Sequence, residues 1–125
     1  MYQSMLILVG GGIGSLLRYW LSLATYLLLG SHFPYGTLMV NVLGSFIMGF
    51  LSILLIERFS MHADYLRALL LIGFLGGFTT FSSFSIETFY LFENGELIKS
   101  LLNIFCSFGF CLLAVALGAM LGRQL

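Results

Sequence analysis

Charge is what this sequence lacks most. Its 125 residues include five Lys or Arg and five Asp or Glu, 8% in all, where a soluble domain carries about a quarter. No basic run occurs, which excludes nucleic acid and a polybasic lipid patch as partners. The two cysteines, Cys106 and Cys111, lie five apart in one apolar run. That spacing puts them on different helix faces, so neither an intrachain disulfide nor a metal site follows from them. No His/Cys/Asp cluster and no nucleophile–base spacing is present, so the chain reads as a non-enzyme. The start has no charged n-region leading to a short apolar core and a small-residue cleavage site. Met1 onward therefore reads as mature protein, with the first span acting as its own insertion signal.

What remains is apolar. Hydrophobic residues make up 60% of the chain and its mean hydropathy is +1.08, the composition of a membrane protein. The few charges cut it into four spans, at about 5–29, 36–56, 66–92 and 97–122. Each is long enough to cross a bilayer, which takes about 20 helical residues. The expectation is an all-α, multi-pass membrane protein with one four-helix transmembrane domain over residues 1–125 and the lipid bilayer as its solvent.

The third span is unusual. Residues 73–87, Gly-Phe-Leu-Gly-Gly-Phe-Thr-Thr-Phe-Ser-Ser-Phe-Ser-Ile-Glu, hold three glycines, two threonines and three serines. These lower helix propensity and offer hydroxyls that compete for backbone hydrogen bonds. A mid-membrane break near Gly76 to Thr80 follows. Irregular backbone at that depth survives only inside protein or beside a wet cavity, so the stretch marks a site. A break leaves unpaired carbonyls at the end of the first half and unpaired N–H groups at the start of the second. The carbonyl end suits a cation such as Na⁺, and the N–H end suits an anion. Phe81 and Phe84, three apart, share a helix face, as core packing or as ring edges that contact a small anion. Thr80, Ser83 and Glu87 form a second line, Glu87 being either an intramembrane carboxylate or an interfacial one.

The other spans carry fewer signals. Span 1 has Gly10 with Gly14 and Gly11 with Ser15, four apart, a close-packing face. Its Arg18 is either a functional intramembrane charge or an interfacial anchor. His32, beside Pro34, reads as a loop residue. In span 2, Thr37, Asn41 and Ser45 fall on one face, as a polar track or as interhelical glue. Asn41 is the strongest of the three because its NH₂ offers two donors. Residues from Glu57 to Tyr65 read as a polar loop. Span 4 has a weaker line of Ser100, Asn103, Ser107 and Cys111, and a small-residue pair in Gly118 and Gly122. Arg58, Arg67 and Arg123 fall on the side of the N-terminus and Lys99 on the other, a weak orienting bias. A chain so balanced can insert both ways, and two opposite copies could pair about a twofold axis in the membrane plane.

Three stretches together resemble a known family. Gly10-Gly11-Gly12-Ile13-Gly14-Ser15-Leu16-Leu17-Arg18-Tyr19, Gly36-Thr37-Leu38-Met39-Val40-Asn41-Val42-Leu43-Gly44-Ser45-Phe46 and Gly73 through Glu87 look like the signature stretches of the Fluc (CrcB-type) fluoride channels. The resemblance covers the whole chain and is most specific in the third stretch. It implies an antiparallel dual-topology homodimer in the cell (inner) membrane, with two fluoride pores and a central structural Na⁺. By that similarity Phe81 and Phe84 contact fluoride with their edges and Asn41 is a pore donor. Thr37, Thr80 and Ser83 are further pore-lining candidates, and Arg18 stands at the watery pore entrance. The carbonyls of Gly76 and Thr79 hold the Na⁺. Glu87, Ser107 and Asn103 are polar candidates without a fixed role.

The chemistry agrees with a fluoride path. Fluoride is small and strongly hydrated, so a pore must replace its water with dense donors, while a fixed positive charge deep inside would hold it too long to conduct. The expectation is passive, selective F⁻ export that protects the cell from fluoride toxicity. The rival is a small dual-topology proton-coupled multidrug exporter, which needs a membrane carboxylate. Span 1 offers none, and Glu87 is the only substitute.

Overall fold

The computed structural model describes residues 1–57 and 63–125. Four helical stretches in it are long and apolar enough to cross a membrane: Tyr2–Leu29, Tyr35–Ile56, Ala63–Glu93 and Leu97–Gln124. No strand occurs among the described residues. The chain is a multi-pass membrane protein.

Helix α1, Tyr2–Leu29, ends where Gly30 takes φ 82° and donates its N–H back to the Tyr26 carbonyl at 2.9 Å. Glycine suits that left-handed turn because it carries no Cβ. Pro34 then restarts the chain as a helix, its carbonyl accepting from Leu38 N–H at 3.1 Å, and α2 runs Tyr35–Glu57. The sequence reading treats Glu57 to Tyr65 as loop. In the structure Glu57 is helical, as are Ala63, Asp64 and Tyr65, and the rest of that stretch, residues 58–62 with Arg58 among them, lies outside the described residues.

The third crossing is two helices. The first, α3, covers residues 63–78. It opens with an α-helical turn, Ala63–Leu66, continues as π-helix through Arg67–Leu75, and closes with an α turn, Gly76–Phe78. Long π stretches are rare, and π turns concentrate at functional sites; the sequence carries no signal for this one. After two non-helical residues, Thr79 and Thr80, the second helix, α4, runs Phe81–Glu93. A tight turn with Gly95 at φ 78° leads into α5, Leu97–Gln124, whose start carries a Glu96–Lys99 ion pair.

Packing splits the molecule in two. α1 lies along α3, and α2 lies along α5. Both contacts depend on glycine. A side chain at Gly14 would collide with the Phe74 carbonyl and meet Phe78 N at 2.9 Å, and one at Gly77 would run into the Gly11 backbone. On the other side Gly49 and Gly118 sit against the Val115 and Phe46 carbonyls. Lipid tails are as apolar as leucine, so helices in a bilayer associate by such close fits rather than by hydrophobic exclusion. Val40, Leu75 and Phe78 form the core between the two halves, with Leu21, Ile47, Met48, Leu51, Leu71 and Phe74 packed around them.

Candidate functional site

The break between α3 and α4 is built by diverting hydrogen bonds. Thr79 stays tied to the end of α3, its N–H and its hydroxyl both donating to the Leu75 carbonyl at 2.9 Å. Thr80 is extended, at φ −152° and ψ 113°. Its N–H, which in a continuous helix would close on the Gly76 carbonyl, donates instead to Asn41 Oδ1 at 2.8 Å. Asn41 Nδ2 returns a bond to the Thr80 carbonyl at 2.9 Å. One amide from α2 thus satisfies both backbone groups of the one residue that a straight helix would have satisfied itself. Leaving those groups bare in lipid would cost several kcal/mol each.

Thr80 also caps α4. Its Oγ1 accepts from Ser83 N–H at 3.1 Å, the usual N-cap geometry of a threonine. The same hydroxyl donates to Ser83 Oγ at 3.1 Å and lies 3.2 Å from Ser82 Oγ. Ser83 N–H would otherwise serve the Thr79 carbonyl. Gly76 and Thr79 therefore lose their helical donors to Asn41 and to the Thr80 side chain. Carbonyl oxygens freed in this way are hard donors of the kind an alkali cation takes.

A cleft of about 300 Å³ opens beside the break. Asn41, Ser45, Thr80, Phe81, Phe84 and Ser107 line it with Phe108 and the aliphatic face of α5, and no charged residue does among the described residues. The Phe81 and Phe84 rings are 5.3 Å apart and tilted at 48°. They differ in setting: Phe84 is 7% exposed, Phe81 68%. Phe84 also meets Phe108 edge to face, at 6.0 Å and 89°.

Two further polar clusters form along α4. Glu87, one turn past Ser83, finds its partners on α1 and α2. Its Oε1 accepts from Thr37 Oγ1 at 2.9 Å and from Tyr26 O–H at 3.2 Å, and its Oε2 is buried without a partner among the described residues. This cluster borders a second cavity of about 430 Å³, reached between Tyr26, His32, Pro34, Tyr90 and Asn94. On the opposite wall, Asn103 Nδ2 donates to Thr88 Oγ1 at 2.8 Å and Ser107 Oγ donates to Asn103 Oδ1 at 3.4 Å.

A family model described as CrcB-like protein, Camphor Resistance (CrcB), matches residues 5–119. The chain belongs to the CrcB family. It is 54% identical over 119 residues to a protein of Methylococcus capsulatus, 51% identical over 121 to one of Coxiella burnetii, and 46% identical over 125 to one of Rhizobium leguminosarum. Each of the three relatives is named "Fluoride-specific ion channel FluC". The matches take in 95%, 97% and 100% of this chain. The chain spans 52% of the Methylococcus protein's length but 98% and 99% of the other two.

Against this CrcB-family background, the sequence-derived residues fall into three groups. Asn41, Thr80, Phe81, Phe84 and Ser107 meet at the cleft, while Ser83 stands just behind it on Thr80. Thr37 and Glu87 meet each other rather than the cleft, and Asn103 lies behind Ser107. Arg18, one turn past Gly14, is half-buried and without a hydrogen-bond or ion-pair partner among the described residues. It does not line the cleft. Three contributors escape the sequence reading: Tyr26, Thr88 and Phe108. The only signal for Phe108 is its place next to Ser107; Thr88 and Tyr26 are single polar groups in apolar runs, and only the packing reveals their partners.

Proposed function

We propose that this chain is the subunit of a fluoride-selective channel giving passive export of F⁻, and that it protects the cell from fluoride toxicity. The observation that carries this reading is the cleft at the helix break, where the polar groups of Asn41, Ser45, Thr80 and Ser107 stand in an otherwise apolar wall together with the Phe81 and Phe84 rings. A small anion leaving water there exchanges its hydration shell for the second Asn41 N–H, for hydroxyls such as that of Ser107, and for the electropositive edges of Phe81 and Phe84. Each contact is weak enough to release the ion. The start of α4, where a helix dipole is positive, borders the same place, since Thr80 and Phe81 line the cleft. Thr80 and Ser83 shape this end, Thr37 links it to Glu87, and Arg18 gathers anions at the pore entrance. The family and the relatives' printed names support fluoride, and nothing comparable supports the multidrug exporter.

The working unit in this reading is an antiparallel dual-topology homodimer in the cell (inner) membrane. Its support is the exposure of Phe81 at the cleft and the weak orienting bias of Arg58, Arg67 and Arg123 on one side against Lys99 on the other. A structural Na⁺ at the dimer centre fits the freed carbonyls of Gly76 and Thr79, and when bound it would fix the two breaks to each other.

The test is fluoride efflux from liposomes holding the purified protein, read with a fluoride electrode beside a matched chloride experiment. Fast fluoride loss without chloride loss, in the absence of a proton gradient, is the expected result. No fluoride loss from a verified dimer would sink the reading.

A further inference from the structure

The geometry points to Thr88 as a positioning residue for the conduction path, one that orients Asn103 and, through it, the Ser107 hydroxyl. This rests on the fluoride-channel reading above. Thr88 sits one turn beyond Phe84 on α4 and takes no part in the cleft wall. Its hydroxyl donates to the Phe84 carbonyl at 2.6 Å, which uses its only proton. Towards α5 the same oxygen can then only accept. Asn103, 1% exposed, must therefore turn its NH₂ and not its carbonyl to Thr88, as it does at 2.8 Å. That choice aims Oδ1 along α5 at Ser107, whose hydroxyl donates to it at 3.4 Å. Ser100 Oγ adds a bond to the Thr88 carbonyl at 3.1 Å and holds α4 and α5 in register.

Bond lengths grade along this chain. The links at Thr88 are short and part-buried, and the last link, at Ser107, is buried but long enough to be weak. Ser107 is also the one member of the hydroxyl–amide chain that lines the cleft. Its proton is the one free to swing from Asn103 Oδ1 to an anion, while everything behind it stays fixed. An anion that accepts hydrogen bonds strongly gains most from such a donor. With Thr88 removed, Asn103 can rotate, and Ser107 loses its preset direction.

The experiment compares fluoride efflux from liposomes carrying wild type, Thr88→Val, Thr88→Ser, Asn103→Asp, Ser107→Ala and the Thr88→Val/Ser107→Ala pair, with dimers confirmed by crosslinking. Valine keeps the shape of threonine and removes its hydroxyl; aspartate keeps the shape of asparagine and removes the donor to Thr88 but adds a carboxylate, so only wild-type flux in that variant is decisive. Both should slow fluoride about tenfold, the equivalent of one lost hydrogen bond. Thr88→Ser should recover to within about twofold, and Ser107→Ala should add nothing to Thr88→Val. Wild-type flux in Thr88→Val, or in Asn103→Asp where the valine variant fails to assemble, would overturn the proposal while leaving the channel intact. Equal slowing by serine and valine, or additive slowing in the pair, would reduce Thr88 to packing. Absence of fluoride flux in wild type would remove the channel reading, and this inference with it.

Discussion

Residues 63–78 and 81–93 belong to one crossing of the membrane, yet the two halves are fastened differently. α3 lies on α1 through glycines, backbone against backbone, with the 3.4 Å bond from Ser15 Oγ to the Gly77 carbonyl as the sole side-chain hydrogen bond between them among the described residues. α4 is hung on its neighbours by side chains: Tyr26 and Thr37 on Glu87, Asn41 at its head, Ser100 and Asn103 on Thr88. A glycine seam tolerates no change of shape and carries no chemistry. A hydrogen-bonded helix spends its groups at chosen points and leaves others for an ion. α3 is therefore the fixed wall and α4 the selective one, and substitutions in the two should fail in different ways.

The largest effect is expected in the seam. Gly14→Leu drives a side chain into the Phe74 and Phe78 backbone, which cannot swing aside as a side chain would. Overpacking of that kind costs about 3 kcal/mol or more. The expected result is loss of the monodisperse species in detergent; a stable, conducting Gly14→Leu protein would erase the distinction between the halves.

Next come the rings, which separate stability from flux. Phe84→Ala empties a buried position and should cost about 3 kcal/mol, together with most of the fluoride flux. Phe81, exposed in the single chain, should lose flux as Ala with little change in thermal stability. Equal destabilisation by both would mean that Phe81 is buried by a partner to the same degree. Asn41→Asp follows: it keeps the acceptor for Thr80 N–H but turns an oxygen towards the Thr80 carbonyl, a loss of about 1–3 kcal/mol, and it sets an anion in an anion's path. Efflux should fall at least about tenfold, and normal throughput would leave Asn41 as interhelical glue. Smaller again is Thr37→Val, which takes one of two donors from Glu87 Oε1; about 1 kcal/mol of stability and a few-fold of flux are at stake.

The sequence shows this division only on one side. Four crossings follow from apolar length, and the weak point of the third follows from its glycines and hydroxyls, because both are local properties. The α2 line of Thr37, Asn41 and Ser45 is also local, since a spacing of four defines a face. What that face touches is not local. Asn41 reads as a pore donor by the family resemblance, but it spends one N–H and its carbonyl on Thr80, 39 residues away. Glu87 reads with Thr80 and Ser83 on one helix face, yet its partners come from α1 and α2. The helical spacing is right, and the neighbours that decide each group's role arrive only with packing. The π-helical turns of α3 are silent for the same reason: no residue in Arg67–Leu75 demands them.

The smallest expected effect discriminates most finely, because it compares two glycines of one stretch. Gly12 lies between Gly10 and Gly14 in sequence, but a Cβ added there meets nothing within 4 Å, whereas one at Gly14 meets backbone. Alanine favours helix over glycine by up to about 1 kcal/mol, less where lipid already enforces the helix. Gly12→Ala should therefore leave thermal stability level or slightly raised and fluoride flux within about twofold of wild type. Gly14→Ala, with the same added methyl, should be clearly destabilised. If Gly12→Ala is as damaging as Gly14→Ala, the glycine is serving a surface that the single chain leaves open. A second copy packed along α1 would be the first place to look, and crosslinking of Gly12→Cys between copies would read it directly.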